Sequence, residues 1–176
     1  TGLSACAGTP PAPAPANPPA NSAPAKDPAS APAGKDGAAA SLKNPDGTSF
    51  TLADVRGRVK VVNVWATWCA PCISEMPVLN AMAKEYASKD VAFLAVSVDE
   101  GGPADVDALL KRGKVKVDLR LAYASFDDLE AINVAAPIPD TLVYDASNRL
   151  VKHFDKVVEK AELEAAINEA LGAKGV

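Results

Sequence analysis

The heptapeptide Val59-Lys60-Val61-Val62-Asn63-Val64-Trp65 is β-branched and nearly all apolar. Only Ala66, Thr67 and Trp68 separate it from the pair Cys69-Ala70-Pro71-Cys72. A run of this kind is a central strand buried on both faces. After it the period becomes helical, with Met76, Leu79, Met82, Ala83 and Tyr86 on one side of a segment from Pro71 to about Ser88. Pro71 suits the first turn, where its missing N–H would have had no intrahelical partner. The two cysteines therefore fall at a strand-to-helix junction, beyond the carboxyl end of a central strand, where sites in open α/β sheets tend to lie.

The rest of the folded part alternates in the same way. Ser41 to Leu52 reads as a β-hairpin around the turn Asn44-Pro45-Asp46-Gly47. Val91 to Val98 is a second buried strand, Asp105 to Arg112 a short helix closed by Gly113, and Val115 to Leu121 a strand. Asp127 to Asn133 is a short helix. Thr141 to Tyr144 and Leu150 to Phe154 are strands joined by a turn, and Glu159 to Leu171 is a final amphipathic helix. Such alternation predicts an α/β fold: a central sheet, made mixed by its late hairpin, with helices on both faces and an N-terminal β-hairpin.

Residues 1–40 are of another kind. They hold Pro10, Pro11, Pro13, Pro15, Pro18, Pro19, Pro24, Pro28 and Pro32, much alanine and no aromatic residue. A segment like this cannot bury enough apolar surface to offset its conformational entropy. It is expected to be a disordered tether, partly polyproline II, ahead of one domain over 41–176. Some 34 residues in polyproline II would span on the order of 100 Å at about 3.1 Å each. The net charge is −4 and no basic stripe is present, so nucleic acid is not an expected partner. No run of eighteen apolar residues marks a membrane-spanning helix.

The cysteine pair admits several chemistries. A staple across so short a loop would stabilise the fold by only about 2 kcal/mol, and a core of this size hardly needs it. A zinc site needs about four ligands. Beyond the pair the chain offers only Cys6 and the single histidine, His153, which reads as a surface or sheet-edge residue. A redox dithiol fits best. The thiol of Cys69 would lie over free N–H groups and the positive end of the helix dipole, which favours thiolate. Cys72, one turn in, would be more buried and placed to resolve a mixed disulfide. Glu75, three residues further on the same face, has two readings: an acceptor for the Cys72 proton, or an acid complementing the helix dipole. Trp65 reads as core, and Trp68 as a partly exposed aromatic bordering the reactive sulfur.

The stretch VVNVWATWCAPCISEMP resembles the active-site region of the TlpA/ResA-like branch of the thioredoxin family, extracytoplasmic thiol–disulfide oxidoreductases. The Trp-Cys-x-Pro-Cys core is shared with thioredoxins broadly, whereas Asn63, WATWC and Glu75-Met76-Pro77 point to the branch. The likeness extends to NPDGTSFTLADVRGRVKVV and VAAPIPDTLVYDASNRLV, so it covers about residues 41–171. It implies a thioredoxin-like fold, Cys69 as nucleophile and Cys72 as resolving cysteine. It also implies a substrate groove at Trp68, Ala70, Pro71, Ile138 and Pro139, with Pro139 as a cis-proline and Pro137 a second candidate for it. Asn63 stands where thioredoxins proper carry a buried acid, and a neutral amide cannot relay a proton; this strengthens the proton-acceptor reading of Glu75. Asp140 departs from the small or hydroxyl residue often found there, and reads either as an acid beside the groove or as an exposed loop acid.

No cofactor beyond the Cys69–Cys72 disulfide and no metal is expected. The implied partners are protein thiols and disulfides and a membrane electron donor or acceptor, met by a monomer. Thr1-Gly2-Leu3-Ser4-Ala5-Cys6-Ala7 resembles a bacterial lipoprotein cleavage box. Lipidation at Cys6 would then anchor a periplasmic domain to a membrane; a stray exposed cysteine is the other reading. Cytochrome c maturation is a common task in the family. Two other superfamily functions fit less well: a peroxidase, which would place a threonine where Ala66 stands, and a copper-delivery module, which would resemble Cys-x-x-x-Cys.

Overall fold

In the computed structural model the residues described are 1, 40–132, 134 and 137–172. Residues 2–39, which hold Cys6 and nearly all of the expected tether, lie outside them. Seven strands form one sheet in the order β2-β1-β5-β4-β3-β6-β7. The strands are β1 (Leu42–Lys43), β2 (Ser49–Phe50), β3 (Val59–Trp65), β4 (Val91–Ser97), β5 (Arg120–Tyr123), β6 (Asp140–Tyr144) and β7 (Leu150–Phe154). The helices are α1 (Ala70–Tyr86), α2 (Pro103–Lys111), α3 (Phe126–Glu130) and α4 (Lys160–Gly172). β3, β4 and β5 run parallel, while β6 pairs antiparallel with both β3 and β7. This is the thioredoxin-like α/β fold with a mixed central sheet and an N-terminal hairpin.

β3 is central because it can be nothing else. All seven of its residues are buried, and successive side chains point to opposite faces, so both faces of the sheet are covered there. β6 is likewise buried throughout. Trp65, Val62, Val64, Leu94, Leu142 and Tyr144 are sealed from solvent on these strands. From α1, Met76, Leu79 and Met82 add to the same core. Gly57, at φ +129°, enters β3 with its Cα so close to Ala92 that a Cβ would come within 3.1 Å of it; glycine alone fits both the backbone and the space.

Several boundaries differ from expectation for identifiable reasons. The alternation from Val115 looks like a strand, yet β5 begins only at Arg120. The backbone of the preceding segment is satisfied by a side chain instead of a neighbouring strand. Asn80 on α1 donates to the Lys116 carbonyl at 2.7 Å and accepts from the Asp118 N–H at 2.8 Å. α2 starts two residues early, with Pro103 in its first turn, as a proline without an N–H allows. The reading of Asp140 as an exposed loop acid is incorrect. It is the first residue of β6, 3% exposed, and its Oδ1 lies 2.7 Å from His153 Nε2 on the adjacent strand. A hydrogen-bond partner is what permits a carboxyl group to be buried there. His153 lies on β7, the edge strand.

Candidate active site

The carboxyl end of β3 is tied into place before the cysteines begin. Val98 N–H donates to the Trp65 carbonyl at 3.0 Å. Asp99, just past β4, receives the Thr67 N–H at 3.0 and 3.1 Å, the Thr67 hydroxyl at 2.7 Å and the Ser97 hydroxyl at 2.8 Å. The approach to Cys69 is thus fixed by a carboxylate from the neighbouring strand. Sequence reasoning did not single out Asp99; its position at a β-strand end beside the junction was the available signal.

Cys69 is the N-cap of α1, with extended backbone. Its sulfur forms a disulfide with Cys72, across a Cα–Cα separation of 5.3 Å, and accepts from the Cys72 N–H at 3.3 Å. A negative charge developing on this sulfur would meet that N–H and the positive end of the helix dipole, which together lower a thiol's pKa. The two cysteines are unequal: Cys69 retains 5% exposure and Cys72 none. Ala70 and Pro71 between them are exposed, and Trp68, at 65% exposure, stands over the junction.

The Ile138–Pro139 peptide bond is cis. The Ile138 carbonyl oxygen lies 3.8 Å from Cys69 Sγ, so β6 delivers this segment to the disulfide, as the resemblance implied. Pro137 is exposed and Pro139 buried. Trp68 also borders a groove of about 940 Å³, whose other walls include Asp99, Pro103, Tyr123 and Phe126. Ala70, Pro71, Ile138 and Pro139 do not line that groove; Ala70 and Pro71 lie between the two cysteines in the chain, and Ile138 and Pro139 form the cis peptide whose Ile138 carbonyl meets the sulfur.

Behind the disulfide lies a buried polar cluster. Glu75, on α1, is 2% exposed. Its Oε1 accepts from Asn63 Nδ2 at 2.7 Å, and its Oε2 from the Val158 N–H at 3.0 Å. The same Asn63 nitrogen donates to Thr141 Oγ1 at 3.0 Å. Burial pushes the Glu75 carboxyl above its ordinary range, and the bonds from Val158 and Asn63 pull it partly back. A carboxyl raised in this way is a proton acceptor poised closer to neutrality than a free glutamate. The plain helix-dipole reading of Glu75 does not account for a side chain buried and bonded on both oxygens.

Among the described residues no group of three or more His, Cys, Asp or Glu is placed to hold a metal ion. No helix among them is long and apolar enough to cross a membrane.

A thioredoxin-like sheet with a Cys-x-x-Cys disulfide capping the helix after its central strand defines a class, the thiol–disulfide oxidoreductases of that fold. The Redoxin family model matches residues 24–171. The thiol–disulfide oxidoreductase ResA of Bacillus thuringiensis subsp. konkukian is 28% identical over 121 residues, covering 68% of this chain and 67% of that protein. ResA of Oceanobacillus iheyensis is 43% identical over 124 residues, covering 70% and 63%. The crystal structure of a thiol:disulfide interchange protein, DsbE, from Chlorobium tepidum superposes with a TM-score of 0.69 at 25% identity, over 81% of this chain and all of that one. The chain belongs to the Redoxin family, within its TlpA/ResA-like thioredoxin branch. It is a thiol–disulfide oxidoreductase.

Proposed function

We propose that the chain reduces disulfides of partner proteins outside the cytoplasm, with Cys69 as the attacking thiolate, Cys72 as the resolving thiol and Glu75 as the acceptor of the Cys72 proton. The observation that carries this reading is the asymmetry of the pair: a helix-capping sulfur that retains access to solvent, linked to one that is sealed.

The reaction starts from the reduced pair. The Cys69 thiolate attacks one sulfur of the partner's disulfide, that S–S bond breaks, and the first partner sulfur leaves as thiolate and takes a proton from solvent. A mixed disulfide now joins Cys69 to the second partner sulfur. Cys72 gives its proton to Glu75, and its thiolate attacks Cys69 Sγ. The mixed disulfide breaks, the second partner sulfur leaves as thiolate, and the Cys69–Cys72 disulfide forms. Two electrons have passed from the dithiol to the partner. A membrane dithiol donor returns them.

Trp68, Ala70, Pro71, Ile138 and Pro139 bound the surface on which the partner's segment rests. Their arrangement around Cys69 Sγ supports this: the Ile138 carbonyl is within 3.8 Å of it and Trp68 is the most exposed large apolar side chain nearby. A partner Cys-x-x-Cys pair that must be reduced before haem attachment has the right chemistry, which makes cytochrome c maturation the task we assign. Residues 7–40 act as a tether from a lipid on Cys6, holding the domain at a membrane surface in the periplasm. Radiolabelled palmitate incorporated by the native protein and lost in Cys6→Ala tests the anchor; equal labelling of both contradicts it.

The direction of electron flow is tested by the reduction potential of the Cys69–Cys72 pair, equilibrated in thiol–disulfide buffers. A reductase is expected near thioredoxin's value of about −270 mV. A value near the roughly −120 mV of a strong periplasmic oxidant would assign the opposite direction.

A further inference from the structure

Asn63 presents a contradiction in the buried cluster. Its Nδ2 serves both Glu75 Oε1 and Thr141 Oγ1, at 2.7 and 3.0 Å. Its Oδ1 is buried and has no hydrogen-bond partner among the described residues. An unpartnered acceptor in a sealed core is costly, so this half of the amide calls for a use that the oxidised, ionised arrangement does not supply.

The surrounding geometry indicates one. Val158 N–H donates to Glu75 Oε2, and an N–H can only donate. Protonation of Oε2 would weaken it as the acceptor of that N–H, so Oε1, the oxygen that faces Asn63, is the better placed to carry a proton. With Nδ2 opposite it, that proton would meet another donor. A half-turn of the amide removes the conflict. Oδ1 would then accept from the protonated Oε1 and, at the same time, from the hydroxyl of Thr141, whose hydrogen is free to rotate. Both neighbours of the amide can act as donor or acceptor, so each orientation matches one protonation state of Glu75.

We propose that Asn63 is a positioning residue that holds Glu75 in both of its protonation states, its amide turning over as the proton arrives and leaves. This deepens the assignment of Glu75 as acceptor of the Cys72 proton and rests on it for its use in catalysis. The amide does not itself carry the proton. It keeps both carboxyl oxygens partnered in each state, and the half of the amide turned away from Glu75 is the one left without a partner. Among the described residues Glu75 is bonded to the Asn63 amide from β3, which also bonds Thr141 on β6, and to the Val158 N–H ahead of α4; Cys72 lies three residues before it on the same helix. Burial and the bonds from Val158 and Asn63 set its affinity for protons, with no charged side chain among the causes.

The test follows the Glu75 carboxyl carbon and the Asn63 side-chain amide by NMR across pH, in the wild type and in Asn63→Leu, beside the pH dependence of mixed-disulfide resolution. In the wild type the amide resonances are expected to move with the same midpoint as the Glu75 carboxyl. In Asn63→Leu a bond that favours the charged form is lost, so the carboxyl midpoint and the onset of resolution should both rise by about one pH unit. Wild-type amide resonances that stay constant through the Glu75 titration overturn the proposal, even if Asn63→Leu fails to fold. So does an Asn63→Leu protein in which Glu75 titrates as before. Glu75→Gln separates the two claims. If Glu75→Gln leaves the pH profile of resolution unmoved while the wild-type amide still follows the Glu75 titration, the cradle stands and the proton-acceptor role falls.

Discussion

The imidazole of His153 lies 2.7 Å from the carboxylate of Asp140, one residue past Pro139. The acid is almost fully enclosed, and His153, the only histidine in the chain, is its partner on the edge strand. The pair therefore anchors β7 to the start of β6, beside the segment that meets Cys69.

Removing one partner should cost more than removing both. His153→Ala leaves a buried carboxylate without its partner and is expected to lower stability by about 1–3 kcal/mol. Asp140→Ala in that background should recover part of the loss, because it removes the stranded carboxylate. Urea denaturation of the two single variants and the double variant measures the coupling. Strictly additive losses would mean that the contact does not contribute.

Glu75 gives stability a distinct pH dependence. Its folded carboxyl is raised above the ordinary value of 4.5, first by burial. A raised acid binds its proton more tightly in the folded state. Its contribution to stability is thus complete below the unfolded value and is lost as pH rises through the folded one. In Glu75→Gln this dependence is absent. The stability of Glu75→Gln relative to wild type should increase with pH from about 4.5 upward, by about 1.4 kcal/mol for each unit of upward shift, and then level off. Denaturant midpoints of both oxidised proteins at several pH values provide the check; a difference that is flat or falls with pH counts against the raised carboxyl.

Trp68 is exposed and packs into no core, so Trp68→Ala should change stability by no more than about 0.5 kcal/mol. As a proposed wall of the partner surface it should matter far more for exchange. A loss of about tenfold in kcat/KM towards a protein disulfide, with little change towards a small disulfide such as oxidised glutathione, is the expected split. Equal effects on both substrates would remove Trp68 from partner recognition.

The centre of the fold was legible because burial on both faces leaves a plain mark. The run from Val59 to Trp65 is β3 to the residue, and the change of period at Pro71 marks α1. The junction between them placed Cys69 and Cys72 correctly in relation to a helix N-terminus. What stayed hidden depended on side chains reaching across the fold. Asn80 satisfies the backbone of the segment before β5, which the alternation of Val115 and Val117 had disguised as strand. Asp140 looked like a loop acid because its partner, His153, is thirteen residues away. Asp99 offered only its position at a strand end, and the free oxygen of Asn63 had no local signature, since each acquires its meaning from the neighbour that sheet formation brings alongside.

The central claim is that Cys69 attacks and Cys72 resolves. It is tested most directly by mixing reduced Cys72→Ser with a protein disulfide and weighing the products under non-reducing conditions. The account predicts a persistent mixed disulfide through Cys69, which the native protein resolves and Cys69→Ser does not form. A trapped adduct on Cys72 in Cys69→Ser, with none on Cys69 in Cys72→Ser, would contradict it.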